Sequence, residues 1–218
     1  MPTLNPPPVA LTRLHASALP RRLPLHGVTG SRQIERAWMQ RLPAHTLMQR
    51  AGLAIARLAC AIAPHAQRIW IACGPGNNGG DGLQAAALLQ GWGHQVEVTL
   101  LAEPERLPDD ARAAHADAVA AGVAISNAIP SGLLAHDLAI DALLGIGASR
   151  APSAAMQACI DAMHALPAPI LAIDLPTGLD ADSGYWLQGG SARQCIQADP
   201  TLSLLSLKPG LFTDHGRD

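Results

Sequence analysis

Three stretches of this sequence join glycine to polar side chains in a way that could build a site. The first is Gly74-Pro75-Gly76-Asn77-Asn78-Gly79-Gly80-Asp81-Gly82. The second runs from Asp141 through Gly145-Ile146-Gly147 to Arg150, and the third is Asp174-Leu175-Pro176-Thr177-Gly178-Leu179-Asp180. Each follows a short apolar run. Glycines let a backbone approach a ligand closely, and a helix that starts after such a loop offers free N–H groups to a phosphate. Each residue also has a plainer reading: Asp81 as a cap for the following helix, Asp141 and Asp174 as turn-forming acids that bond their own backbone. Lys208 either contacts phosphate or simply follows a strand. Gly74, Gly76 and Gly79 match the G-x-G-x-x-G dehydrogenase fingerprint, but that signal alone is weak. The acid expected on the ribose is represented only by Glu103, rather far beyond the second strand. The nine histidines are scattered, and none is assigned to catalysis.

Alternating strands and helices must position these loops. Ser31 can cap a helix through Ile34, Ala37 and Trp38 that ends near Pro43. Thr46-Leu47-Met48-Gln49 has the form of a capping box ahead of a second helix, with Leu47, Ala51, Ile55, Leu58 and Ile62 at helical spacing. Ile69–Cys73 reads as a buried strand, Leu83–Trp92 as a helix stopped by Gly93, and Gln95–Leu100 as a second strand. A helix over Asp109–Ala121 opens with acids suited to its positive end. A strand at Leu138–Asp141, a helix over Ser153–Leu166, a strand at Ile170–Ile173 and a fifth at Thr201–Leu207 complete the pattern. Such alternation predicts an α/β fold, a Rossmann-like three-layer αβα sandwich around a mainly parallel sheet. In an open parallel sheet the loops after the strands share one edge, where ligands bind at a topological switch point. All three polar loops should converge there.

At 218 residues and 49% hydrophobic, the chain suits one domain with a sizeable core better than two. Residues 1–25, with Pro6-Pro7-Pro8, read as a flexible lead-in, and 26–218 as the domain. A net charge of -2 leaves no excess to hold a polyanion, which speaks against nucleic acid as main partner. Cys60, Cys73, Cys159 and Cys195 form no CxxC pair and have no histidine at zinc spacing, so they read as reduced thiols. No run of 18 apolar residues suggests a membrane span, no apolar signal core opens the chain, and a cytoplasmic location follows by default.

Taken together, the three polar stretches resemble the NAD(P)H-hydrate epimerase (YjeF N-terminal) family. The likeness runs from about Ile34 to Gly210 and includes Leu47-Met48-Gln49-Arg50-Ala51-Gly52 upstream, then Ala198-Asp199 and Lys208-Pro209-Gly210 downstream. The resemblance implies an isomerase of nicotinamide nucleotide repair that interconverts the R and S forms of hydrated NADH and NADPH, NAD(P)HX. It assigns Asn77, Asn78, Gly79, Gly80, Asp81 and the stretch Gly145, Ile146, Gly147, Ala148, Ser149, Arg150, Ala151 to substrate binding, and Asp174 to both binding and catalysis. It further implies a potassium ion, K+, held by Asn78, Asp141 and Thr177, and oxygen ligands of this kind suit a hard cation. Thr177 stands where the family usually has Ser, and either side chain offers a hydroxyl. Gln49 stands where Glu is commoner, a form associated with bifunctional members that carry a dehydratase domain.

The implied substrate is a hemiaminal with its hydroxyl at C6, so epimerisation must break and remake a bond at that carbon. On this reading Asp174 shuttles the proton. The same sequence also admits a different class of function: a non-catalytic nucleotide-binding or protein-interaction module of the same fold. Members often form homodimers, and functional pairing with an NAD(P)H-hydrate dehydratase is a further expectation. A further hydrophobic strand is expected after Gly210, where only residues 211–218 follow, so a truncated C-terminal end is expected too.

Overall fold

Two helices precede the first strand in the computed structural model, which describes Arg13 and residues 23–217. Most of the expected lead-in lies outside the described residues. Leu25, placed in the expected lead-in, bridges Leu207, while His26 N–H donates to the Leu207 carbonyl at 2.8 Å.

Helix α1 spans Val28–Met39 and starts earlier than the Ser31 cap would place it. Ser31 is instead buried inside the helix; its hydroxyl donates to the His26 carbonyl at 3.1 Å and lies 2.8 Å from that of Ser206. The cap comes from far along the chain, since the Val28 N–H donates to Asp182 Oδ1 at 2.8 Å. The capping box also fails. In α2, Thr46–Ile62, Thr46 is already helical and His45 holds the cap position at φ 64 with no side-chain cap bond. His45 Nδ1 lies 2.6 Å from Asp110 Oδ1, a tertiary contact that local sequence does not reveal. Ile55 is fully buried, and Leu58 and Ile62 pack half-buried against the core.

Strand β1, Arg68–Cys73, leads into α3, Asn77–Gly91, and β2 follows at Gln95–Leu100. The glycine stretch is therefore largely helix, not loop. Glycine is a poor helix former, which is why the pattern suggested a start at Leu83. Here the missing Cβ is what lets α3 lie against the sheet: at Gly82 it would stand 2.7 Å from Ala142 Cβ, and at Gly79 it would fall on the Gly74 carbonyl oxygen. Next come α4, Asp109–Ala120, and β3, Ala124–Ser126, a strand too short and too exposed for its pattern to be read in advance. Then β4 runs Leu138–Ala142, α5 runs Ala154–Ala165 with the Ser153 hydroxyl accepting from Met156 N–H, and β5 runs Ile170–Ile173. The last strand, β6, is only Thr201–Leu202. It stops early because the chain turns away: Leu205 has φ 58 and Ser206 N–H donates to the Leu204 carbonyl at 2.6 Å.

The six strands lie in the order β3-β2-β1-β4-β5-β6 and every pairing is parallel. Alternate β1 side chains divide the core. Ile69, Ile71 and Cys73 pack with α2, α3 and α4, whereas Trp70 and Ala72 pack with Met156, Ile160 and Met163 of α5. This is the expected three-layer sandwich. Both faces are covered, as an all-parallel sheet of aliphatic strands requires. Among the described residues no helix is long and apolar enough to cross a membrane, and the four cysteines are free thiols.

Candidate active site

The chain leaves β1 for β2 and β3 on one side of the sheet, then returns to β4 on the other. The loops after β1 and β4 therefore diverge at the carboxyl edge, and a cleft opens between them. A cavity of about 720 Å³ lies there, a size usual for small-molecule sites. Gly76, Asn77, Asn78 and Asp81 at the start of α3 line one side, Gly145 to Ala148 a second, and Asp174 with Ser203, Leu204 and Leu205 a third. The convergence of the three polar stretches is thus realised in space.

Within those stretches the residues part company. Gly79 and Gly80 are buried against Gly74 and against Met48 and Ala111, away from the cavity lining. Ser149, Arg150 and Ala151 also lie outside the lining. Arg150 bridges Gln188, and Ala151 N–H donates to the Gln188 carbonyl at 3.0 Å.

Asp141 closes β4 with no solvent exposure. Its Oδ2 accepts from Thr177 N–H at 2.8 Å, and its Oδ1 accepts from the Thr177 hydroxyl at 2.7 Å and from Leu143 N–H at 3.1 Å. Burial pushes its carboxyl up to about 6, although the Thr177 and Leu143 bonds pull the other way. Thr177 Oγ1 in turn accepts from Leu144 N–H at 3.0 Å, and Asn78 Nδ2 donates to the Leu144 carbonyl at 3.1 Å. Asn78 and Thr177 therefore meet at Leu144 of the β4 loop, with Asp141 joined to Thr177 and to the neighbouring Leu143. The other amide atom of Asn78, Oδ1, is buried without a hydrogen-bond partner among the described residues. A buried oxygen lacking a donor, linked through Leu144 and Thr177 to a buried carboxylate that has no cationic side-chain partner among the described residues, belongs to a group of oxygens of the kind that suits a hard cation.

Asp174 follows β5 and sits at φ 66, a value that β-carbon-bearing residues rarely adopt. Its N–H still completes the ladder to the Leu202 carbonyl at 2.7 Å, and the next N–H, of Leu175, turns back to the Ile173 carbonyl at 2.7 Å. The result is a tight three-residue turn with Asp174 at its centre, a strained form common at functional sites. The Asp174 side chain pairs with Lys208, which is only 1% exposed.

Sequence reasoning missed much of the opposite wall. Helix α1 contributes Arg32, Glu35, Trp38 and Met39, and α2 contributes Leu47 and Arg50. Arg50 Nε is buried with no hydrogen-bond partner among the described residues. Burial, then the charge of Asp174, raises Glu35 above the ordinary carboxylate range; the same two causes in the same order raise Asp81 well above it. The signal for α1 was present but weak: Arg32, Glu35 and Met39 fall on one helical face, beside the apolar Ile34, Ala37 and Trp38 that marked the helix. Lys208 was visible as a lone charge closing the run Leu204 to Leu207.

The pattern of the YjeF-related protein N-terminus matches residues 44–210. The chain is 45% identical over 165 residues to the NAD(P)H-hydrate epimerase of Bordetella pertussis, covering 76% of this chain and 71% of that protein. It is 41% identical over 189 residues to the NAD(P)H-hydrate epimerase of Achromobacter xylosoxidans, 86% of each. A bifunctional NAD(P)H-hydrate repair enzyme, Nnr, of Escherichia coli is 40% identical over 182 residues, which are 81% of this chain and 33% of that one. The crystal structure of the yeast protein YNL200c superposes with a TM-score of 0.71 at 21% identity, covering 86% of this chain and 83% of the other, a likeness of fold. The chain belongs to the family of the YjeF-related protein N-terminus.

Proposed function

We propose that this chain is an NAD(P)H-hydrate epimerase that interconverts the R and S forms of hydrated NADH and NADPH. The observation that carries the reading is Asp174, a carboxylate set by a strained turn at the wall of a nucleotide-sized cavity on the sheet's switch point. The similarity to epimerases over most of the chain supports the substrate class.

At C6 of the substrate a hydroxyl and the ring nitrogen share one carbon. Loss of the hydroxyl as water, or opening of the C6–N bond to an aldehyde, leaves a planar centre that can be attacked again from the other face. In the first route Asp174 gives a proton to the departing hydroxyl and takes one back from the water that re-adds; in the second it carries the hydroxyl proton to the ring nitrogen and returns it on closure, so its charge state is restored over the cycle. The first turn of α3, with the Asn77 and Asn78 N–H groups, suits the negatively charged phosphates, and the Gly145 to Ala148 stretch closes around the nucleotide. Asn78, Asp141 and Thr177 would hold a potassium ion, whose charge would steady the bound nucleotide and satisfy the Asn78 oxygen. The match to one third of the bifunctional Escherichia coli repair enzyme supports functional pairing with an NAD(P)H-hydrate dehydratase domain.

The test is to mix purified protein with R-NADHX, with and without potassium, and follow the S epimer by chromatography against the spontaneous rate. Potassium-dependent acceleration that Asp174→Asn abolishes is the expected result. Full turnover by Asp174→Asn would remove Asp174 from its role, and tight nucleotide binding without turnover by the parent protein would point to a binding module.

A further inference from the structure

Lys208 belongs to a motif, Lys208-Pro209-Gly210, that the reading above leaves without a task. Its backbone is set firmly: Gly210 N–H donates to the Ala181 carbonyl at 2.8 Å, and a Cβ at Gly210 would collide with the Asp180 carbonyl. From that base the side chain runs into the protein and becomes one of its largest fully buried groups. Burying an ammonium is costly unless its hydrogens are all matched. They are: Nζ donates to the Leu204 carbonyl at 2.7 Å, to Ser203 Oγ at 3.2 Å, and to Asp174 Oδ1.

These three acceptors are not an arbitrary set. Asp174 and Leu205 are the centres of two tight turns of the same kind, each with positive φ and each closed by a bond across three residues, Leu175 N–H to Ile173 and Ser206 N–H to Leu204. Neither is glycine, so both turns store strain. Lys208 bonds to the carboxylate at the centre of one and to the carbonyl that closes the other. It thereby ties the cavity wall of Ser203, Leu204 and Leu205 to Asp174, and Leu204 N–H adds a second link to Asp174 Oδ1 at 3.1 Å. Asp174 Oδ1 thus receives two protein donors, while Oδ2 has none among the described residues.

We propose that Lys208 is a positioning residue for the reaction: it holds Asp174 by Oδ1, locks the two strained turns together, and so leaves Oδ2 as the oxygen that handles the substrate proton. This role rests on the epimerase reading. Because Lys208 spends all three hydrogens on protein oxygens, it has none left for a phosphate, and its loss should affect turnover and leave nucleotide affinity in place.

The test uses the full chain with Lys208→Met, which keeps the length and loses the donors, and Lys208→Gln, which keeps one donor group without charge. Rates of R-NADHX epimerisation and nucleotide affinity are measured beside the parent. We expect Lys208→Met to lower kcat by about 30-fold or more with KM within about threefold, and Lys208→Gln to fall between it and the parent, the pattern of an interaction made in the transition state. A KM rise with kcat unchanged, or a kcat within about twofold of the parent, would overturn the proposal. A parent protein that does not epimerise at all overturns the functional reading, and this role with it; a parent that turns over while Lys208→Met matches it overturns this role alone. If neither Lys208 variant folds, Ser203→Ala decides, because it cuts one anchor of the ammonium and spares the ion pair. Its kcat should drop about three- to tenfold at constant KM, and an unchanged kcat overturns the proposal.

Discussion

Asn78 donates its side-chain N–H to the Leu144 carbonyl at 3.1 Å across the switch point, while its own Oδ1 is buried and without a hydrogen-bond partner among the described residues. The α3 start and the β4 loop are joined by one amide whose other half is left unsatisfied. A cation beside Asp141 would complete it. A ligand that binds only the folded state at a hundredfold excess over its Kd adds about 2.7 kcal/mol. Replacing sodium with potassium at constant ionic strength should therefore raise the Tm of the parent by several degrees, and Asn78→Ala should erase the difference. Equal Tm values for the parent in both salts would argue against a potassium site here.

Asp81 offers a pH-dependent test whose sign follows from its surroundings. Burial, reinforced by Asp174, raises its carboxyl in the fold above the ordinary value of 3.8. Between those two pH values the folded protein keeps a proton that the unfolded chain has lost, so stability falls as pH rises through the window. Asp81→Asn removes this penalty. The variant should melt above the parent at pH 8, with the gap closing towards pH 4, and each kcal/mol recovered should be read as about 2–4 °C of Tm. A gap that widens towards acid would refute the assignment.

The close packing of α3 on the sheet predicts a sharp contrast between two glycines of one helix. At Gly79 a Cβ would fall on the Gly74 carbonyl, which belongs to backbone held by Gly74 N–H bonding to the Ala142 carbonyl at 3.0 Å. Gly79→Ala should cost about 1–3 kcal/mol or more in urea unfolding. Gly91, the last residue of the same helix, has nothing within 4 Å of such a Cβ, and Gly91→Ala should be neutral or stabilise by up to about 1 kcal/mol.

In the second core layer, Trp70 Nε1 donates to Thr99 Oγ1 at 2.9 Å with both residues fully buried, and the Thr99 hydroxyl donates on to the Ala128 carbonyl at 2.6 Å. Thr99→Val keeps the shape and strands the indole N–H. The expected cost is about 1–3 kcal/mol, measured by denaturant unfolding, with the Trp70 near-UV signal altered. A cost below about 0.5 kcal/mol would mean that water or backbone movement replaces the bond.

Strands β1, β4 and β5 were legible to within a residue or so because each is a short, mainly aliphatic run buried on both faces, and β2 because Val96, Val98 and Leu100 alternate with polar residues; both patterns declare themselves locally. Their order was not legible, but the loops after them carried the residues that now line the cleft, Asn77, Asn78, Asp81 and Asp174 among them. What local pattern misread was decided at long range. Ser31 and Thr46 look like caps, yet the Val28 N–H is satisfied by Asp182 and the α2 entrance is set by His45 against Asp110. Gly79 and Gly80 look like loop, yet they are helical, and packing leaves no room for a side chain at either: Gly79 lies against the Gly74 carbonyl and Gly80 against Met48 and Ala111. The sequence by itself determined the layers, the polar loops and the acids available to them, since hydrophobic periodicity and turn chemistry act over a few residues. Only the tertiary structure decided that Asp141 would be enclosed by Thr177, and Asp174 held by Lys208, because each pair spans more than thirty residues and meets only when parallel strands bring their carboxyl ends to one edge.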